Sequence, residues 1–252
     1  MPTFFSNQTA YGQRAKLGLI VPTTNTVNEA EWHMHAPSGV TLHSARMPLH
    51  ADLTTEGALE ALYADVEAAT RRLAGAGLSA IAYGCTAGSM LTPVTALPVR
   101  MARLAGVPCV TTAGALVSAL RALGRRHIAA ATPYHDALNA HEVHFLEGQG
   151  FTVHRISGLG IGGGGPHEYA HIARTPADVI AAHVKAADHP EADVMLVSCT
   201  DFPVLPLIAD LEADLGKPVI TSNQATLWAA LRAAGIDDEL PELGMLFRNE
   251  RP

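Results

Sequence analysis

Two stretches of the chain carry the same order of apolar and polar positions. Residues 16–26, KLGLIVPTTNT, and residues 126–138, RHIAAATPYHDAL, each pass from a basic residue through a continuous apolar run to a proline, Pro22 and Pro133. Polar residues and a helical pattern follow in both. Unbroken apolar runs of strand length predict parallel strands covered on both faces. Asn25 and Asp136 stand at equivalent places before the next helix, and both residue types are good N-caps. The correspondence continues along the chain. VTLHSARMP (40–48) answers FTVHRISGL (151–159), and helical residues 55–75 answer 176–188. LSAIAYGCTAGSM (78–90) answers ADVMLVSCTDFP (192–203), and GVPCVTTAGAL (106–116) answers GKPVITSNQAT (216–226). An Ala/Leu-rich helix follows each last strand, at 113–123 and 224–234.

Pro22 and Pro133 are 111 residues apart, Cys85 and Cys199 are 114, and Pro108 and Pro218 are 110. So long and constant an offset marks one duplicated unit of four strands alternating with helices, not an array of small repeats. Strand–helix alternation predicts an α/β fold: two pseudo-symmetric, Rossmann-like lobes, each with a parallel four-stranded sheet and right-handed crossovers. Ligands bind at the carboxyl ends of such strands. A pseudo-two-fold would set the loops after Val21 and Thr132, Gly84 and Ser198, and Thr111 and Thr221 face to face across a cleft. Cys85 and Cys199 would then oppose each other.

The remaining composition narrows the field. A chain of 252 residues holds one large or two small α/β domains with a real core. A net charge of −7, with no cluster of Lys or Arg, argues against nucleic acid and anionic membranes as partners. No apolar run reaches the length of about 18 residues that a membrane span needs. The start, MPTFFSNQTAYGQR, lacks the basic-then-apolar order of a signal peptide, so a cytoplasmic enzyme is the expectation. Three cysteines, 85, 109 and 199, do not make a disulfide framework.

Cysteine usually packs as a small buried apolar residue. Cys109 lies inside a strand run, is matched by Val219, and reads as core. Cys85 and Cys199 differ, because each directly follows a buried-strand pattern, precedes a loop and is followed by Thr. Helix starts are expected near Pro93 and Pro203. Backbone N–H groups and helix N-termini there would lower a thiol pKa from about 8.5. The small residues Thr86, Ala87, Gly88 and Ser89 allow backbone to approach a ligand, and exposed amides in such turns bind carboxylates.

The duplicated lobes, the strand leading to PTTNT and the paired cysteines resemble the aspartate/glutamate racemase superfamily over nearly the whole chain. GLIVPTTNTVNEAE, HSARMPLH, the first cysteine loop, TPY and SCTDFPVLPL are most similar to maleate cis–trans isomerases, with arylmalonate decarboxylases as sister group. The decarboxylases carry one catalytic cysteine, in the second loop, and this chain has both. The resemblance implies chemistry without a metal or organic cofactor. It implies a substrate carboxylate held by Asn25 and Tyr134, a nucleophile at Cys85 and an acid/base partner at Cys199. It also implies that helix 224–234 packs back on the first lobe, giving an N-terminal lobe of 1–114 plus 224–252 and a C-terminal lobe of 115–223. One departure stands out. The isomerases have an Asn in the loop after the second strand of the second lobe, where this chain has GIGGGGPHEY (160–169) with glycines 162–165.

A thiolate adds to an activated alkene, the double bond becomes single, rotation follows, and elimination releases the trans isomer. Charge developing on a carboxylate needs N–H or OH donors, and Thr24, Asn25, Tyr134, Thr86 and Thr200 are placed to supply them. Two thiols on opposite faces of a carbon also suit an aspartate/glutamate-type racemase, and an arylmalonate-type decarboxylase is a further alternative. A binding protein without catalysis has no need of reactive thiols. The substrate is thus a small carboxylic acid, and a homodimer or higher homo-oligomer is the default assembly.

Other motifs carry less. His167-Glu168-Tyr169-Ala170-His171 matches HExxH, but the chain has 13 His and the preceding glycines favour a mobile loop over a metal platform. Gly158, Gly160 and Gly163 match GxGxxG in a second, not a first, βα turn. His33 and His35 alternate as on a strand, and His141 and His144 share a helix face. Glu56, Glu60, Asp65, Glu67, Arg71 and Arg72 read as the solvated face of helix 55–77. Trp32 and Trp228 are core or interface anchors, and Arg46 is a surface charge or a cation at the cleft edge.

Overall fold

The computed structural model describes residues 9–248 except 51, 52, 54 and 92. The reading of the amino terminus therefore falls partly, through residues 1–8, outside the described residues, as do 249–252 of the expected N-terminal lobe. In the first half the elements are β1 (Ala15–Pro22), α1 (Asn28–His35), β2 (Val40–Met47), α2 (Ala58–Ala74) and β3 (Ala80–Tyr83). They continue with α3 (Thr86–Ser89), α4 (Ala96–Ala105), β4 (Cys109–Thr111) and α5 (Thr112–Ala122). The second half has β5 (His127–Tyr134), α6 (Asp136–Gly148), β6 (Thr152–Ile161), α7 (Ala177–Ala186) and β7 (Val194–Val197). It ends with α8 (Ile208–Leu215), β8 (Val219–Thr221) and α9 (Ser222–Ala233).

Two four-stranded sheets result, in the order β2-β1-β3-β4 and β6-β5-β7-β8. All pairings are parallel and the two orders are equivalent, as duplication requires. The apolar runs are continuous because both faces are covered. Along β1, Leu17, Leu19 and Val21 enter one cluster and Ile20 the other. Along β5, Ala129 and Ala131 separate from Ile128 and Ala130 in the same alternation. Among the described residues no helix is long and apolar enough to cross a membrane.

The closing helices exchange partners. Helix α5 leaves the first sheet, yet Ala113, Leu116, Val117 and Leu120 pack with Ile128, Ala130, Val194 and Leu196 of the second. Helix α9 leaves β8, packs on β3 and β4, and shares a cluster through Leu227, Ala230 and Leu231 with Leu17, Leu19, Ala80 and Ala82. A capping box opens α9: Thr221 Oγ1 accepts from the Gln224 amide, while Gln224 Oε1 accepts from the Thr221 amide. Fully buried Trp32 donates from Nε1 to the Asn223 carbonyl at 3.1 Å, which makes it core. Beside it Glu31 accepts from Asn223 Nδ2 at 2.6 Å and from the Leu205 amide at 3.1 Å, and burial lifts its pKa to about 7.

Several local expectations need correcting. His33 and His35 lie on helix α1, not a strand. Their alternation extends over too few residues to set a period. Asp136 is the first residue of α6, after His135, and makes no side-chain cap. Asn25 does cap, its Oδ1 accepting from the Val27 and Asn28 amides at 3.2 and 3.0 Å. Helix α4 begins at Ala96, three residues past Pro93. After Pro203 a 3-10 turn (Leu205–Leu207) comes before α8.

Candidate active site

The cleft between the sheets is lined by loops from both repeats. Pro22 ends β1 and Thr24 and Asn25 come from the loop after it, while Cys85 follows β3 and Thr86 and Ala87 open α3. Tyr134 and Leu138 enter from the end of β5 and from α6, and Cys199, Thr200 and Asp201 from the loop after β7. Leu49, His50, Tyr169 and Ile172 complete the wall. The seven residues assigned to the site from the sequence, Thr24, Asn25, Cys85, Thr86, Tyr134, Cys199 and Thr200, thus meet at one place. Thr24 sits exposed at the rim, and the other six are buried.

Each loop is held by contacts to the opposite repeat. Asn25 Nδ2 donates to Thr200 Oγ1 at 3.0 Å, and Thr200 Oγ1 donates to the Gly84 carbonyl at 3.1 Å. Asp201 Oδ1 accepts from the amides of Thr26 and Val27 at 2.8 and 3.2 Å. Arg46 stands at the cleft edge, donating to the Asn25 carbonyl at 2.6 Å and to Glu29 at 2.9 Å. Ser222 joins the two cysteine loops, since its Oγ contacts Thr86 Oγ1 at 2.9 Å and accepts from the Cys199 amide at 3.0 Å. No Lys or Arg is among the described residues lining the cleft, so an anion there meets neutral N–H and OH donors. The first-turn amides of a helix such as α3 have no intrahelical partner.

Tyr134 is positioned by its own strand end. Its amide donates to Thr132 Oγ1 at 3.0 Å, and that hydroxyl donates to Asn139 Oδ1 at 2.6 Å. A Cβ at Gly158 would collide with the Tyr134 carbonyl, so glycine is required where β6 passes. Two glycines shape the first cysteine loop. A Cβ at Gly84 would lie 2.5 Å from Asn28 Nδ2, and one at Gly88 would lie 2.5 Å from the Tyr83 hydroxyl and 3.2 Å from Cys85 Sγ.

Both thiols are buried, and their pKa values shift opposite to the sequence expectation. Burial pushes Cys199 up to about 12, against hydrogen bonds from the Tyr134 hydroxyl and the Asp201 amide, the latter at 3.4 Å. Burial also raises Cys85, against hydrogen bonds from the Gly88 amide and the Tyr83 hydroxyl. The donors expected from the loops are present, and desolvation outweighs them. Cys199 carries an additional penalty from the Asp201 carboxylate, itself raised to about 6 by burial. Cys199 also has φ 119°, the one positive φ of a non-glycine residue among those described. Such strain persists only where the surroundings over-determine it, and it concentrates at functional sites. Cys109, by contrast, sits half-buried against the first lobe's core with its thiol raised to about 12 by burial, in keeping with a packing role.

Behind the cleft, Glu142 on α6 is fully buried and raised to about 7 by desolvation. The Ser198 hydroxyl opposes that shift, although neither it nor the Glu142 oxygens reach a well-formed hydrogen bond among the described residues. The folded pKa lies above the ordinary value of 4.5, so the folded state holds this proton more tightly than the unfolded chain. The stabilisation is complete below about pH 4.5 and is lost as pH rises through about 7. Glu142→Gln, which cannot ionise, should gain stability relative to wild type across that window, on the order of 2 kcal/mol. Paired melting curves at pH 5 and pH 8 check this, and an unchanged Tm difference between the two pH values would contradict it.

The HExxH match is no zinc platform. Residues Pro166–Arg174 form a 3-10 helix, in which residues four apart do not share a face. Glu168 instead accepts from the amides of Gly162 and Gly164 at 2.8 and 3.1 Å, clipping the glycine turn that brings Tyr169 to the cleft. Of the GxGxxG match, Gly158 and Gly160 lie in β6 and Gly163 in the turn that follows it. Asp201, Ser222, Tyr83 and Tyr169 were not singled out in the sequence. Ser222 and Asp201 had a signal there, as residues following Thr221 and Ser198 in loops expected at the cleft.

A family model described as arylmalonate decarboxylase matches residues 17–247. The maleate isomerase of Pseudomonas putida is 30% identical over 251 residues, covering 93% of this chain and 98% of that protein. The solved maleate isomerase of Pseudomonas putida S16, a cysteine-to-alanine mutant with maleate, superimposes with a TM-score of 0.84 at 25% identity, covering 94% and 98% of the two chains. A cysteine-to-serine mutant of the Nocardia farcinica maleate cis–trans isomerase, with a covalently bound succinylcysteine intermediate, gives 0.82 at 26% identity over 94% and 99%.

Proposed function

This chain belongs to the arylmalonate decarboxylase family, and we propose that within it the protein is a cofactor-independent cis–trans isomerase converting maleate to fumarate. One observation carries the reading: two buried cysteines, Cys85 and Cys199, share a single cleft with Tyr134. The succinylcysteine in the Nocardia farcinica relative is the adduct that thiolate addition to maleate produces.

Cys85 is the nucleophile. Its thiolate bonds to one vinyl carbon, and the π pair moves to the other carbon and into its carboxylate. The Cys199 thiol gives that carbon a proton, completing an S-succinyl adduct. Rotation about the new single bond turns one carboxylate to the trans side. Cys199 then takes a proton back, the C–S bond breaks, and fumarate leaves with Cys85 again a thiolate. Cys85 must ionise to attack, whereas the raised pKa of Cys199 keeps it a thiol that can protonate the carbanion and, once ionised, a strong base that takes the proton back. Asn25, Tyr134 and the loop residues Thr86 and Thr200 hold the carboxylates with neutral donors, and Thr24 contributes at the rim. Those donors stabilise charge as it develops.

Proton NMR in D2O tests the reading, with maleate, aspartate, glutamate and an arylmalonate supplied separately. Fumarate arising from maleate is expected. Loss of CO2 from the arylmalonate would make the chain a decarboxylase. Deuterium entering the α-carbon of an amino acid, without alkene isomerisation, would make it a racemase. No reaction with any of the four would remove maleate as substrate.

A further inference from the structure

At the end of the second sheet away from the cleft, three histidine rings stack. His127 opens β5, His154 is the third residue of β6, and His189 lies in the turn between α7 and β7. The His127 and His154 ring centroids are 5.2 Å apart, as are those of His154 and His189, whose planes differ by 6°. Glu191, from the same turn as His189, reaches to 3.5 Å from His154 Nδ1. Together, His154, His189 and Glu191 offer one ligand atom each within 4.8 Å of one another. We propose that these three residues form a binding site for a divalent transition metal of the zinc or nickel class.

The hydrogen bonding around the cluster suits ligation. His154 Nε2 and His127 Nδ1 are 3.0 Å apart and share one proton. When His154 donates it, its Nδ1 lone pair faces the Glu191 carboxylate, and two acceptors confront each other across a gap that a cation fills. His127 is then the outer partner that fixes the tautomer of a ligating histidine. His189 Nδ1 accepts only a long 3.3 Å contact from the Glu191 amide, which a metal readily displaces. A tetrahedral zinc with N and O ligands at about 2.0–2.2 Å sets them about 3.4 Å apart. The His154–Glu191 pair already has that spacing, and exposed Glu191 is free to adjust. The neighbouring cation does not compete, because Lys217 Nζ is taken up by Asp188 at 2.7 Å and by the His189 and Ala192 carbonyls. Two histidines and a carboxylate leave a fourth position for water.

The site stands apart from the cleft. Tyr134 lies seven steps along β5 from His127, roughly 23 Å at the rise of a parallel strand. Its role is structural, clamping the starts of β5 and β6 to the turn before β7.

Calorimetric titration of the whole protein with NiCl2 or ZnCl2 tests the proposal, with melting curves alongside. One equivalent should bind to wild type and raise Tm by about 5 °C at saturating metal. His154→Gln and His189→Gln should each weaken binding at least about ten-fold, leaving maleate turnover unchanged. Cys199→Ala, which removes a competing soft ligand from the cleft, should leave the affinity intact. Binding to His154→Gln or His189→Gln equal to wild type, loss of binding in Cys199→Ala, or no binding to wild type at 1 mM order metal would each overturn it.

Discussion

Cys85→Ala is expected to lower maleate turnover by at least about 10⁴-fold, and Cys199→Ala by about 10³–10⁴-fold, with both proteins folded. Losing the nucleophile removes the covalent route altogether. Losing Cys199 removes only the proton donor and acceptor, so addition still takes place slowly and release is blocked. The two variants are therefore distinguishable. Cys199→Ser incubated with maleate should gain about 116 Da, one maleic acid, on the peptide bearing Cys85. The corresponding Cys85→Ser protein should gain nothing on Cys199, whose thiolate is disfavoured by burial and by Asp201. Stability should change little, because each side chain is small and opens on the cleft, and circular-dichroism melts check this. Turnover within ten-fold of wild type in either alanine variant, or an adduct on Cys199 in place of Cys85, would contradict these roles. The pH dependence gives an independent sign. Burial raises Cys85 above its ordinary value of 9.0. In wild type, kcat/KM should therefore keep rising with pH past neutrality instead of levelling near pH 7.

Much of this architecture is legible in the chain because it depends on local or periodic features. Parallel strands buried on both faces demand continuous apolar runs, so β1 and β5, and then β3 and β7, announce the duplication and fix the equivalence of Cys85 and Cys199. Asn25 is legible as a cap because capping chemistry operates over three residues. What escapes the sequence is what only the packed lobes create. Ser222 meets Thr86 across 136 residues, and Asn223 meets Glu31 across 192. Asp201 looks like any loop acid until its carboxylate is seen capping the amides of Thr26 and Val27. The thiol shifts were expected in the wrong direction for the same reason. Loop amides can be inferred from small residues, but the degree of desolvation depends on both lobes closing over the site. The HExxH spacing drew attention to His167 and His171, whereas the histidines that converge, His127, His154 and His189, have no spacing that marks them.

Tyr134→Phe should reduce kcat/KM by about 10³-fold, chiefly through kcat. The hydroxyl performs two tasks. It opposes the burial that raises the Cys199 thiol, and it faces the cleft where a carboxylate is held. Without it, Cys199 keeps the 3.4 Å contact from the Asp201 amide as its remaining donor, and its thiolate is less accessible still. Proton transfer to and from the substrate carbon then slows at every pH. A tyrosine that only bound the carboxylate would behave differently, since its loss would raise KM and leave kcat alone. The ring itself is not at issue, because Phe preserves the packing of this nearly buried side chain. Steady-state kinetics on maleate from pH 6 to 10 separate the cases. A drop smaller than ten-fold, or one confined to KM, would detach Tyr134 from the proton transfer and leave Cys199 to act through the Asp201 amide alone.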